Sequence, residues 1–203
     1  MLKNVQWGEY KIGDLFESEN GDFDIQKKHI NNKGTYVITS GVTNNGILGK
    51  TDVKSKIFNE NTITIDMFGN SFFRKFKYKL VTHARVFSIK PKFKIDFKVG
   101  LFISNSFNYL TLKFGYENMC SFEKIKDEKI KLPIKNNQID FEFMEKYIDE
   151  LEALHIKKLE AYLVATGLKD YHLTKYDEEI LDKFNRLSEN LSDRQTDRQT
   201  KLD

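Results

Sequence analysis

Four histidines, His29, His83, His155 and His172, lie too far apart for the HxxxH or HExxH spacing that places two imidazoles on one helical face around a metal. The single cysteine, Cys120, supplies neither a disulfide nor a thiolate-rich zinc site within one chain. Gly49-Lys50-Thr51 ends like a phosphate-cradling loop, but its GxxxxGK frame needs glycine where Asn44 stands. Asp66 would serve a nuclease only with an ExK element nearby, and none follows it. Glycine loops for a dinucleotide or a methyl donor are absent as well. The residue types thus suggest no catalytic group, metal site or cofactor, and favour binding over catalysis.

Binding has a clearer signal. The run FFRKFKYKLVTHARVFSIKPKFK, residues 72–94, carries eight Lys and Arg and no Asp or Glu, with Phe and Tyr threaded through it. Cations neutralise phosphates, and rings anchor the backbone or stack on bases. Lys75, Lys77, Lys79, Arg85 and Lys92 are the candidate phosphate contacts, and His83 either joins them or packs. Candidate base readers are Asn44, Asn45, Asn70 and Arg74; asparagine donates and accepts together, as an adenine edge requires. A hairpin with a solvated lysine face explains the same run, and tight-turn geometry explains the same asparagines.

The elements that must position these residues follow from patterning. IGDLFE reads as a helical turn with Leu15 and Phe16 inward, and residues 18–34 as a loop around a short amphipathic piece. TYVITS (35–40), NTITIDMFG (61–69) and KLVTHARVFSI (79–89) read as strands, the last with Val81, Ala84, Val86 and Phe87 near the core. Residues 40–52 read as tight turns, 94–114 as a buried helix, and 115–132 as turn and short strand. From Asp140, a helix cap, apolar residues repeat at three- and four-residue spacing through Met144, Ile148, Leu151, Leu154, Leu159 and Tyr162 until Gly167. A helix that long asks for a partner helix or a second subunit along its stripe. A second helix is predicted over 176–191, and the DRQT-repeat tail lacks apolar anchors and reads as disordered.

Length and charge bound the whole. The 203 residues allow one domain with an appendage or two small domains, and 13% aromatics argue against disorder. No membrane span or secretion signal is read, which points to the cytoplasm. Residues 1–135 hold 23 Lys and Arg against 14 Asp and Glu, whereas 136–203 hold 10 against 16, so a basic front precedes an acidic rear. A basic body suits a polyanion. The predicted class is α+β: a β-rich recognition domain at 1–138, a helical dimerisation and spacer region at 139–192, and a tail at 193–203.

Three stretches together resemble a target-recognition half of the specificity (S) subunit of type I, or related type IIG/BcgI-like, restriction–modification systems. WGEYKIGDLFES, with Trp7, Ile12, Gly13, Leu15 and Phe16, is similar to the family's opening. YVITSGVTNNGILGKTD, with Ser40, Gly41, Asn45 and Gly46, is similar to the strand and Asn-Gly turn that follow. The stretch from Glu117 to Tyr162, with Ile130, Leu132 and Pro133 before a helix from Phe141, is similar to the family's exit. The resemblance, over 5–166, implies a non-catalytic subunit that reads half of a split target in double-stranded DNA. It implies methyltransferase (M) subunits that modify adenine N6, and a restriction (R) subunit or fused nuclease that cuts. With one recognition domain, the chain would form a homodimer on a palindromic bipartite target. Met67-Phe68-Gly69 departs from the Arg or Lys that many relatives carry there. The competing readings are a single-stranded or RNA binder, a structural adaptor that no longer reads DNA, and a metal-dependent nuclease.

Overall fold

The computed structural model describes residues 2, 5–169 and 172–183. In chain order the elements are β1 (Gln6–Lys11), α1 (Ile12–Leu15), β2 (Phe16–Asn20), β3 (Thr35–Ile38), β4 (Ile47–Thr51), β5 (Thr62–Ile65), β6 (Ser71–Arg74), β7 (Tyr78–Leu80), β8 (Phe87–Pro91), α2 (Phe97–Ser106), α3 (Phe122–Ile125), β9 (Lys129–Lys135), β10 (Gln138–Ile139) and α4 (Phe141–Ala165). The class is α+β: a β-rich body is followed in sequence by a long helix. The described chain divides into two units, one through Glu152 and one from Ala153.

Three small sheets build the front unit. β1 pairs with β9, and β9 with β10, so the first strand joins the two last ones in one sheet. The second sheet has the order β2-β8-β5-β6, antiparallel throughout. In the third, β3 lies between antiparallel β4 and parallel β7. β5 is Thr-Ile-Thr-Ile and buried on both faces, which suits β-branched residues in a central strand. One core gathers Phe16, Ile63, Ile89, Ile103, Phe107 and Leu132; a second gathers Ile25, Val37, Ile38, Tyr78, Leu80 and Val86.

Two helix caps match the sequence. Asp140 Oδ1 accepts from Phe143 N at 2.9 Å, satisfying a free donor at the start of α4. At the other end Gly167, with φ 69°, lets Leu168 N return to Leu163 O at 2.9 Å. The first turns of α4 belong to the front unit's core. Met144 is fully buried, and Tyr147 and Ile148 pack beside it. The front unit accordingly extends through Glu152. Of the residues expected at a subunit interface, Met144 is a core residue of its own chain and Ile148 is partly buried against that core.

The 79–89 strand is also corrected. β7 ends at Leu80, and a turn over Thr82–Arg85 carries the chain into β8. Val81, Ala84, Val86 and Phe87 are nonetheless buried, as their apolar character requires. The 94–114 helix is α2 followed by a 3₁₀ turn, Asn108–Leu112, and Leu112 is exposed. A strand, β4, occupies what reads as turns at 47–51. In the rear unit a helix covers 175–183; the rest of the predicted 176–191 helix and the tail lie outside the described residues.

Candidate nucleic-acid interface

The second sheet has two ends, and the candidate residues divide between them. β5 and β8 are antiparallel, with Ile65 opposite Phe87 and Ile63 opposite Ile89. One end therefore carries the turn after β5 (66–70) and the turn before β8 (82–85). The other carries the Lys75–Lys77 link after β6, and Lys92 after β8. The parallel pairing of β3 and β7 brings the loop after β3 (39–46) to the first end, where Val81 N donates to Ile38 O at 2.9 Å.

A buried aspartate joins these loops. Asp66 is 3% exposed. Its Oδ1 accepts from Phe68 N and Asn70 N, both at 2.9 Å. Its Oδ2 accepts from Asn70 Nδ2 at 2.9 Å and from Gly41 N, in the other loop, at 2.7 Å. Gly69, with φ 83°, closes the 66–70 turn, and a Cβ there would sit 2.7 Å from the Leu110 backbone. The 115–120 segment is tied to the same turn: Cys120 N donates to Met67 O at 2.8 Å, and the Phe68 and Tyr116 rings meet edge-on at 5.0 Å. Burial pushes the Cys120 thiol up to about 12, which keeps it protonated and inert.

Asp24 anchors the 82–85 turn. Its Oδ1 accepts from Thr82 Oγ1 and from His83 N, both at 3.2 Å, and His83 Nδ1 sits on the same oxygen. The side-chain bond from His83 holds the Asp24 carboxyl below its ordinary value of 3.8. A carboxyl depressed by folding stabilises the fold above its unfolded value and loses that contribution as pH falls through the folded one. Asp24→Asn should therefore be less stable than the parent at pH 6, with the gap closing below pH 3.8, as urea melts at several pH values would show. Between this turn and the 115–124 segment lies an open cleft of about 650 Å³.

Comparison with known proteins assigns the class. The profile of the type I restriction modification DNA specificity domain matches residues 4–161. The chain belongs to that family. Its specificity domain is 26% identical, over 150 residues, to the type II restriction enzyme specificity subunit S.BcgI of Heyndrickxia coagulans, covering 72% of this chain and 44% of the relative. The fold is similar to the S subunit of a type I restriction-modification system from M. genitalium (TM-score 0.55, 17% identity, 81% of this chain, 43% of that one). It is also similar to the HsdS subunit from Thermoanaerobacter tengcongensis (TM-score 0.52, 12% identity, 90% and 45%). The chain spans less than half the length of each of these relatives.

In the specificity domain the predicted contacts fare unequally. Asn44 and Asn45 are exposed at the loop end in left-handed conformation, with φ of 48° and 51°. Asn44 Nδ2 donates to Ile47 O at 3.3 Å, while Asn70 is spent on Asp66. Arg85 and His83 share this end and are exposed. Arg74 is 2% exposed: Nε donates to Thr64 Oγ1 at 2.9 Å, and burial lowers its pKa to about 10. Its Nη2 lies 3.5 Å from where a Cβ on Gly46 would be, so it supports the asparagine loop from beneath and reads no base. Lys79 is likewise buried, its Nζ donating to Thr51 O and Val53 O, and reaches no phosphate. Lys75, Lys77 and Lys92 are exposed at the far end, Lys92 with its Nζ on Gly13 O at 2.8 Å. Sequence reasoning missed Asp24 and the positioning role of Asp66; the Asx-type DMFGN turn was the one local signal for the latter.

On α4, Leu151 is half-buried and lines an apolar groove of about 640 Å³ with Trp7, Phe102 and Tyr147. Leu154, Leu159 and Tyr162 are exposed at 47%, 57% and 60%. Among the described residues no helix is long and apolar enough to cross a membrane, and no group of three or more His, Cys, Asp and Glu is placed to hold a metal.

Proposed function

We propose that this chain is the non-catalytic DNA-reading component of a restriction–modification complex, directing an adenine-N6 methyltransferase subunit and an associated endonuclease to a bipartite duplex target. The family match over 4–161 carries the reading. The loop end supports it: Asp66 and Met67 tie three segments together, Asp24 pins the 82–85 turn beside them, and exposed amide and guanidinium groups stand on this end. The exposed rear of the α4 stripe pairs two copies, which places two recognition units on a palindromic target. Co-purification with a methyltransferase subunit, followed by methylation mapping, tests the whole; methylation at a split palindrome is the expected result. A chain that binds single strands in preference to duplex in competition would overturn it.

Lys75 and Lys77 grip the backbone while the loop end reads. The two ends stand one four-residue strand apart, roughly 13 Å, comparable to the ~12 Å width of a major groove. Changing both lysines to glutamine should weaken every duplex alike and lower the slope of log K against log salt by about 1.8. An unchanged slope would confine the duplex to the loop end.

A further inference from the structure

We propose that the cleft between the 82–85 turn and the 115–124 segment reads one G·C base pair, Arg85 donating to guanine O6 and N7 and Glu117 accepting from cytosine N4. The inference rests on the DNA-reading function above and names a specific contact within it.

Arg85 is held in place by what surrounds it. Ala84 and Val86 on either side are core residues at 5% and 3% exposure. The turn is closed by Arg85 N to Thr82 O at 2.9 Å and pinned by Asp24. Arg85 itself has φ 49°, a conformation that disfavours a side chain, yet it carries a long cationic one. With its flanks anchored, Arg85 is exposed and lines the cleft. No other cation of the 72–94 run lines this cleft: Arg74 and Lys79 are buried, and Lys75, Lys77 and Lys92 stand at the opposite end of the sheet.

Charge decides what the cleft takes. Its charged lining is Arg85 and Lys124 against Glu117 and Glu123, a net of zero. Lys124 Nζ is turned onto Asn118 Oδ1 and Met119 O, both at 2.8 Å, and Glu123 accepts from Lys126 Nζ at 2.6 Å. Arg85 and Glu117 remain as one strong donor and one strong acceptor. A phosphate would meet Glu117 and be repelled. A G·C edge in the major groove offers the complement of this pair: two acceptors on guanine and one donor on cytosine. The exposed Tyr116 ring, braced by Phe68, walls the cleft beside Glu117.

The test is selection from a randomised duplex library with the full chain and with Arg85→Gly, which suits the φ of 49° and so preserves the fold. The parent should enrich a motif with one guanine position at which Arg85→Gly loses ~10–100-fold of its preference, the other positions and the salt slope being unchanged. Arg85→Gln should move that position toward adenine, and Glu117→Gln should relax the same position and no other. If Arg85→Gly weakens all sequences evenly and flattens the salt slope by about 1, Arg85 is a phosphate contact: the proposal falls and DNA reading stands. Retention of the full motif by Arg85→Gly also overturns it. Failure of the parent to enrich any sequence overturns both this contact and the proposed function.

Discussion

Asp66→Ala is expected to lower the unfolding free energy by about 2–4 kcal/mol and to abolish sequence discrimination while duplex binding at low salt persists. Four donors lose their acceptor at once: Gly41 N, Phe68 N, Asn70 N and Asn70 Nδ2. Each lies part-buried, and a donor stripped of its partner away from water costs more than the bond contributed. The loss falls on the 66–70 turn and on the loop that presents Asn44 and Asn45, because Gly41 N to Asp66 is a bond between them. Binding through lysines depends on charge and distance and tolerates loose loops; base reading depends on position and does not. Denaturant melts give the first number, and the affinity ratio of cognate to scrambled duplex gives the second. A loss under 0.5 kcal/mol with the ratio intact would show that the loops hold their shape without Asp66.

Much of the scaffold was legible because its signals are local. The Asp140 cap and the Gly167 stop each act within one turn and appear where the sequence puts them, and the β-branched run gives β5, although the strand read over 61–69 stops at Ile65 and Asp66 turns the chain. The apolar Val81, Ala84, Val86 and Phe87 were also identified as core, although the element around them was not a single strand. VTHAR contains neither Gly nor Pro. A turn there depends on a non-glycine residue at φ 49° and on Asp24, some sixty residues earlier in the chain. β4 was hidden for the opposite reason: its glycine suggests a turn, but that glycine is where Ile30 crosses, a Cβ at Gly49 lying 2.5 Å from the Ile30 side chain.

The site was legible in composition and not in allocation. A lysine bound to backbone carbonyls and a lysine in water look alike in the string KYKL, and only tertiary structure brings Thr51 O and Val53 O over Lys79. Arg74 is similar: it ends the edge strand β6, yet tertiary packing buries it against Thr64 and the Phe72 ring. The antiparallel order β8-β5-β6 then sends the remaining cations to opposite ends of one sheet, although they are close in sequence.

The second large effect lies on α4. Its stripe is continuous at helical spacing, but its environment changes along its length: Met144 is buried in the chain's own core, whereas Leu154, Leu159 and Tyr162 are exposed. Burying one leucine is worth about 1.5–3 kcal/mol. In a symmetric pair every contact occurs twice. Changing Leu154 and Leu159 together to glutamate should therefore remove about 6–12 kcal/mol of association free energy, enough to leave monomers at micromolar concentration. The same change should alter the unfolding free energy of the front unit by no more than about 0.5 kcal/mol, since neither side chain is part of its core. Sedimentation equilibrium on parent and variant measures the first, and urea melts the second. A parent already monomeric at high concentration, or a variant of unchanged mass, would remove α4 as the joint between two copies. The palindromic target would then have to come from a partner subunit.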